Sequence, residues 1–468
     1  MALIKSISGI RGTIGGGGDN NLTPPNLVAF VSAYAEQIKE KFPEIKQPNI
    51  VLGRDGRISG AVVYELVSST LRLSGLNVLS LDLATTPTVE MTVIREKAQG
   101  GIILSASHNP RQWNALKLLN EQGEFLSAKD GQEILAKAQS ALFNYVEVDS
   151  IGEQKTIKDA LESHIQAILA LKLVKAPEIA RANFKVVVDG INSVGALAIP
   201  ELLKALGLKN IEVINAEVNG EFAHNPEPLD KNLSVIKEQV MKSQADLGIV
   251  VDPDVDRLAF INENGEMFGE EYTLVAVADY VMHNFCFGCY QKISVSNLSS
   301  SRALKDITEK RGGAYYATAV GEVNVVAKMK ETGAIIGGEG NGGIIFPELH
   351  YGRDALVGTA LFLSALVEKQ MKMSEYRRQL PEYKMVKDCI DLEVGTDVPA
   401  ILEEVKTHFA GENISGIDGI KIDWLDSWVH LRASNTEPII RIYAEAKMLE
   451  QAELKVKEVK DVILANFK

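Results

Sequence analysis

At 468 residues the chain is too long for one ordinary hydrophobic core, and at roughly 150 residues per domain it should divide into three or four compact units. Its 46% hydrophobic and 24% charged residues match globular usage and exclude disordered and collagen-like classes. The net charge of -13, from 49 Lys+Arg against 62 Asp+Glu, argues against a nucleic-acid partner, yet a few converging donors can still hold a small phosphorylated ligand.

In chain order, the N-terminal MALIKSISGIRGTIGGGG lacks an apolar core of signal-peptide length. No later stretch reaches the roughly 18 apolar residues of a membrane span. The expectation is a cytoplasmic protein without a membrane partner. A first α/β stretch follows: a strand at 49–55, a helix at 59–74, a strand at 77–83, a helix at 87–97 and a strand at 100–107. A second repeats the grammar, with strands at 184–190, 211–216 and 245–254 and helices at 194–206 and 231–243. A third is expected to begin at the hairpin AFINENGEMF (259–268), where Asn264-Gly265 is a favoured turn pair, and to continue with strands at 292–297 and 334–340. Cys286 and Cys289 form a lone CxxC, read as two small buried hydrophobes because no second pair or histidines complete a zinc site. From about 385 the order changes to strand, helix, several strands and a closing helix from about 449. The fold class is therefore α/β, with domains at 1–150, 151–256 and 257–382 and an α+β domain at 383–468.

Each α/β stretch delivers a polar loop after a hydrophobic strand, where open α/β sheets bind ligands. In DPDVDR (252–257), Asp252, Asp254 and Asp256 alternate, so in an extended loop all three carboxylates face one side as hard oxygen donors suited to magnesium. A solvated acidic turn is the plain alternative, disfavoured by the very apolar strand that precedes it. In ILSASHNPRQWNALKLL (103–119), Ser107 sits in a small polar loop stopped by a proline, beside His108 and Asn109. No GxSxG elbow is present, so an acyl-transfer triad is not supported. Beside a metal loop, a phosphorylated Ser107 is the better reading, since a cation can neutralise phosphoryl oxygens during in-line transfer. GGEGNGG (337–343) formally satisfies GxGxxG, but runs on into a strand-like IIFP where a dinucleotide site needs a helix. Its Glu339 and Asn341 suit hydrogen bonds to sugar hydroxyls. RASNTEP (432–438) with Arg441 has the composition of a phosphate nest.

Together, SGIRG, SASHNP, DPDVDR, GEGNG and RASNTEP, in this order along the whole chain, resemble the α-D-phosphohexomutase superfamily. The resemblance implies four domains around a central cleft, three of them related mixed-sheet α/β/α units. It implies that Ser107 carries the phosphate and joins Asp252, Asp254 and Asp256 in holding Mg2+. Arg11 and Arg257 would lie beside the transferring group, with Lys117 or His108 as proton carrier. Glu339 and Asn341 would grip the sugar, and Arg432, Ser434, Asn435, Thr436 and Arg441 the phosphate that does not react. The implied reaction interconverts hexose 6-phosphate and hexose 1-phosphate through a 1,6-bisphosphate, in a monomer or homodimer. Glucosamine phosphate is the leading substrate expectation and mannose or glucose phosphate the alternative. A metal-dependent sugar phosphatase is the competing class, and it would need a nucleophilic Asp where this chain offers the Ser107 loop. A third reading, a sugar-phosphate-binding protein without catalysis, is disfavoured because the serine, aspartates and arginines are all present.

Overall fold

The structure is a computed structural model that describes residues 4–6, 9–15, 21–140, 142–285, 291–393, 396–434 and 439–466. Cys286 and Cys289 lie outside them. The chain forms two compact units, Met1–Thr273 with Asn341–Tyr376, and Leu274–Gly340 with Arg377–Lys468.

In the first unit, β1 (Ile4–Ser6), β2 (Gly9–Thr13), β3 (Asn49–Arg54), β4 (Asn77–Leu83), β5 (Gly100–Leu104), β6 (Trp113–Leu119) and β7 (Gln154–Thr156) form one sheet, in the order β1-β2-β6-β5-β3-β4-β7. β5, β3, β4 and β7 run parallel, joined by the crossover helices Gly60–Leu73 and Thr86–Glu96. Such helices cover a sheet whose strands are buried on both faces, which is why β5 reads GGIIL with every residue buried. After β5 the chain turns through the serine loop and returns antiparallel as β6. β6 carries the buried Asn114 and Lys117 among apolar residues, a break in pattern that concealed it as a strand.

β8 (Lys185–Asp189), β9 (Asn210–Ile214), β10 (Leu247–Val251) and β11 (Leu258–Asn262) form a second sheet, ordered β11-β10-β8-β9. β10 is parallel to β8 and wholly buried, while β11 returns antiparallel beside it with Val251 opposite Leu258. The hairpin at 259–268 therefore belongs to this second sheet and does not open the third stretch, a correction to the sequence reading. Its physical reason is that a strand returning after only a short loop pairs most readily with its predecessor.

β12 (Ile293–Asn297), β13 (Ala314–Thr318) and β14 (Ile336–Glu339), in the second unit, pair in parallel with β12 central. The chain then re-enters the first unit through β15 (Gly343–Ile345) and the helix Ala355–Lys369. Residues 355–366 of that helix are all buried, and Phe362 stacks on Phe260 with centroids 4.0 Å apart. A helix apolar all round must be enclosed, and this one packs against helices Ala160–Leu169, Ala176–Ala182 and Gly195–Ala205. In the second unit β16 (Lys384–Asp391), β17 (Asn413–Ser415), β18 (Ile420–Asp423), β19 (Trp428–Ala433) and β20 (Ile439–Ala446) form an antiparallel sheet, ordered β16-β20-β19-β18-β17. The closing helix Leu449–Asn466 packs on β16 and β20.

Candidate active site

β5 ends at Leu104, and the next three residues carry the chain to Ser107, whose backbone stands at φ +49, a left-handed conformation that costs a non-glycine residue energy. The conformation is held from several sides. Ser105 Oγ accepts from Ser107 N–H at 2.9 Å, and the fully buried Arg57 guanidinium donates to the carbonyls of Ser107, Asn109 (2.7 Å), Pro110 (2.9 Å) and Trp113 (3.0 Å). Arg57 is itself held by Asp55 at 3.0 Å. Ser107 Oγ donates to Asp252 Oδ2 at 2.7 Å, while His108 Nδ1 lies 3.4 Å from the same hydroxyl.

The aspartate loop follows β10 but is not extended. Val255 N–H bonds back to Asp252 O at 3.1 Å, and Val255 takes φ +64, unusual for a β-branched residue. Asp252 Oδ1 accepts the N–H groups of Asp256 and Arg257, both at 3.1 Å, so the chain winds around one carboxylate. The three carboxylates converge through this turn and not through strand alternation, which corrects the sequence reasoning. All three are fully buried, with one ligand atom of each within 4.8 Å of the others.

Cations surround them. Lys117 Nζ lies 2.5 Å from Asp254 Oδ2 and 3.1 Å from Asp256 Oδ2, and Arg353 donates to Asp256 Oδ2 at 2.7 Å. Arg257 Nε is 4.0 Å from Asp252 Oδ2 and has no hydrogen-bond partner, while its Nη1 reaches Glu227 at 3.2 Å. Arg11, on β2, donates to Asn109 Oδ1 at 3.2 Å. Burial, with Asp256 and Asp254 nearby, pushes the Asp252 carboxyl well above its usual range. Burial opposes ionisation of Asp256 too, but Arg353, Lys117 and Arg257 hold it below. Burial would lower Lys117, yet Asp254 and Asp256 raise it, so it keeps its proton. Burial, Arg257 and Arg11 hold His108 well below its ordinary value, leaving a neutral imidazole.

A metal ion fits this site. Asp254 Oδ1 and Asp256 Oδ1 are buried without any hydrogen-bond partner, and a buried carboxylate oxygen left so is costly unless a cation meets it. The donors are hard oxygens, the set that Mg2+ and similar ions take.

The other expected residues are found as follows. Asn341, in the first unit, accepts Gly343 N–H at 3.2 Å through Oδ1. In the second unit, Glu339 ends β14 and accepts from Asn297 at 2.8 Å and Gly321 N–H at 3.2 Å. Arg432 on β19 stands directly opposite Arg441 on β20. Like charges facing one another across two strands repel unless an anion joins them. Ser434 N–H bonds to Ile439 O at 3.0 Å, whereas Asn435 and Thr436 lie outside the described residues. Sequence reasoning missed Arg57, Arg353 and Thr86, which donates to Asp254 Oδ2 at 2.5 Å. Arg57 sits two residues beyond the strand expected at 49–55, and Arg353 follows a Gly, but nothing in either neighbourhood announces which carbonyl or carboxylate it meets.

Four family descriptions match along the chain. Phosphoglucomutase/phosphomannomutase domain I covers residues 3–145, domain II 162–265, domain III 270–383 and the C-terminal domain 388–462. The chain is 35% identical over 455 residues to a phosphoglucomutase/phosphomannomutase of Thermococcus kodakarensis, covering 97% of this chain and 96% of that protein. It is 32% identical over 469 residues to a phosphoglucosamine/phosphogalactosamine mutase of Sulfurisphaera tokodaii, covering 99% of each. In fold it is similar to a phosphoglucomutase/phosphomannomutase family protein of Burkholderia thailandensis, with a TM-score of 0.83 at 22% identity, over 99% of this chain and 97% of the other.

Proposed function

The chain belongs to the phosphoglucomutase/phosphomannomutase family and is a phosphohexomutase, and from that premise we propose that it interconverts glucosamine 6-phosphate and glucosamine 1-phosphate through a phosphoserine at Ser107. The observation that carries the phosphoserine reading is the Ser107 hydroxyl lying 2.7 Å from Asp252 within a buried, cation-ringed carboxylate cluster. Asp252, Asp254, Asp256 and the oxygen on Ser107 would hold a magnesium ion, which when bound neutralises phosphoryl oxygens. A phosphoryl group on Ser107 passes to the free hydroxyl of the hexose monophosphate: the Oγ–P bond breaks, a sugar O–P bond forms, and the hydroxyl proton goes to a base. His108, whose Nδ1 lies 3.4 Å from the Ser107 hydroxyl, and Lys117, beside Asp254 and Asp256, are the two proton carriers proposed. Arg11 and Arg257 bring positive charge to the transferring group. The bisphosphate so formed reorients and returns its other phosphate to Ser107, with Arg432 and Arg441 holding whichever phosphate is idle and Glu339 and Asn341 bonding sugar hydroxyls.

The amino-sugar preference is supported by the name of the Sulfurisphaera relative, and the Thermococcus relative favours a second reading, glucose or mannose phosphate. Rates on glucosamine, glucose, mannose and N-acetylglucosamine phosphates decide between them; comparable turnover of the first three would overturn the amino-sugar choice. Intact mass after priming with a hexose 1,6-bisphosphate should show one phosphate, absent from Ser107→Ala. A primed wild-type chain without it would overturn the phosphoserine.

A further inference from the structure

Outside the carboxylate cluster, a second buried group of titratable side chains lies in the first unit: His164, His350 and Asp354, beside Glu90. Two imidazoles converge on one carboxylate oxygen, with His164 Nε2 at 2.9 Å and His350 Nε2 at 3.3 Å from Asp354 Oδ2. Zinc at about 2.0–2.1 Å from both rings in tetrahedral geometry would bring their centroids to roughly 5 Å. They stand 6.2 Å apart, and 2.9 Å is an ordinary hydrogen-bond length, so the group is a hydrogen-bond network and not a metal centre.

The connections of that network have a direction. Thr85 is the N-cap of helix Thr86–Glu96, its Oγ accepting Thr88 N–H, and its hydroxyl lies 2.7 Å from Thr88 Oγ1. Thr88 Oγ1 lies 3.0 Å from His164 Nδ1. With Asp354 accepting at Nε2, the His164 proton is assigned there, Nδ1 accepts from Thr88, and Thr88 accepts from Thr85. Asp354 in turn is the N-cap of helix Ala355–Lys369, its Oδ1 accepting Leu356 N–H at 2.7 Å and Val357 N–H at 3.3 Å. Burial alone would raise the Asp354 carboxyl, but His164 and His350 hold it below its usual range, as an acceptor-only anion requires. Thus one imidazole joins the N-caps of two helices.

Both helices begin on the aspartate turn. Thr86 N–H donates to Asp254 O at 2.9 Å, and Ala355 N–H donates to Val255 O at 3.2 Å. Their flanking side chains reach the carboxylates of the same turn, Thr86 to Asp254 and Arg353 to Asp256. We propose that His164 is a positioning residue: by joining the Thr85 and Asp354 caps it fixes two helix N-termini as a clamp on residues 254–256, and so sets the geometry in which the three carboxylates bind a divalent cation. The inference rests on the metal-binding reading of that turn.

Mn2+ titration of the whole chain, following the free-ion electron paramagnetic resonance signal, tests it without relying on turnover. His164→Leu, which can neither accept nor donate, should weaken Mn2+ binding about tenfold. His164→Gln offers one acceptor and one donor and should stay within about threefold of wild type. Thr88→Val keeps the shape and removes the hydroxyl link; it should weaken binding about threefold, and it serves where His164→Leu does not fold. A merely structural role would lower the melting temperature of these variants and leave the Mn2+ affinity of the folded protein unchanged, and that result in Thr88→Val or His164→Leu overturns the proposal. A wild-type chain that binds Mn2+ but lacks mutase activity would instead overturn the functional reading and leave the clamp standing.

Discussion

Arg57 shows what one buried side chain does for the loop that carries Ser107, the proposed phosphate carrier. Its planar fork meets four loop carbonyls and Asp55 at once, a geometry that a lysine ammonium with three donors cannot reproduce. Arg57→Ala leaves Asp55 and the carbonyls buried without their cation, which should cost about 3–5 kcal/mol of stability. Arg57→Lys should cost about 2 kcal/mol, because a charge remains but most of the fork is lost. Urea unfolding measures both. In the folded Lys variant, kcat should fall more than tenfold while KM stays within about twofold, since the loop that presents Ser107 loosens without touching sugar contacts. An unchanged kcat would show that Ser107 keeps its left-handed backbone without Arg57. The cluster that joins Ser107 to the three aspartates was legible in the sequence because its residues lie within six-residue loops: Ser107 with His108, and three aspartates in DPDVDR. Arg57 and Arg353 were not, because their partners are main-chain carbonyls and a carboxylate that lie about 50 and 97 positions away in sequence, and spacing carries no record of such contacts.

Among the elements, β19 carries two testable features. His430 is buried with Nδ1 2.8 Å from Ser299 Oγ and Nε2 2.6 Å from Asp418 O, and burial pushes it down to about 4 from an ordinary 6.5. Because the unfolded chain binds this proton more readily, the stabilisation is fully present above the unfolded value. It is lost as pH falls from there towards the folded one. Between about pH 7 and pH 4.5 the loss attributable to His430 should be about 2–3 kcal/mol. Stability curves of the wild type and of His430→Gln, compared over that range, should therefore differ in slope, and parallel curves would remove His430 from the acid response. Two residues further along β19, Arg432 faces Arg441. Arg441→Ala should weaken binding of hexose phosphates by tenfold or more and steeply reduce its salt dependence. Unchanged affinity and unchanged salt dependence would remove Arg441 from the proposed phosphate site. The strands and helices expected in the first two of the three α/β stretches were legible from apolar runs punctuated by polar loops. Two strands that position the site were not. β6 hides behind a buried lysine whose partners are Asp254 and Asp256, and β11 follows its aspartate loop so closely that only pairing reveals its sheet.

At the scale of the whole molecule, the three aspartates, Ser107, Lys117 and the His164 network all belong to one compact unit, whereas Glu339, Arg432 and Arg441 belong to the other. A ligand that binds only the folded form of one unit stabilises that unit by mass action, by about 2.7 kcal/mol when present at a hundred times its dissociation constant. The three tryptophans divide usefully between the units, with Trp113 on β6 in the first, and Trp424 and Trp428 in the second. A chain carrying Trp424→Phe and Trp428→Phe reports the first unit alone, and Trp113→Phe reports the second. Saturating Mg2+ should move the urea transition seen by Trp113 by about the amount above, and a chelator should reverse it, while the transition seen by Trp424 and Trp428 stays in place. Two compact units with separate cores make that the expected behaviour, since single-step unfolding is characteristic of single domains and fails for multidomain chains. If both reporters moved together, the free energy of cation binding at Asp252, Asp254 and Asp256 would be shared with the second unit, and the protein would unfold as one cooperative body.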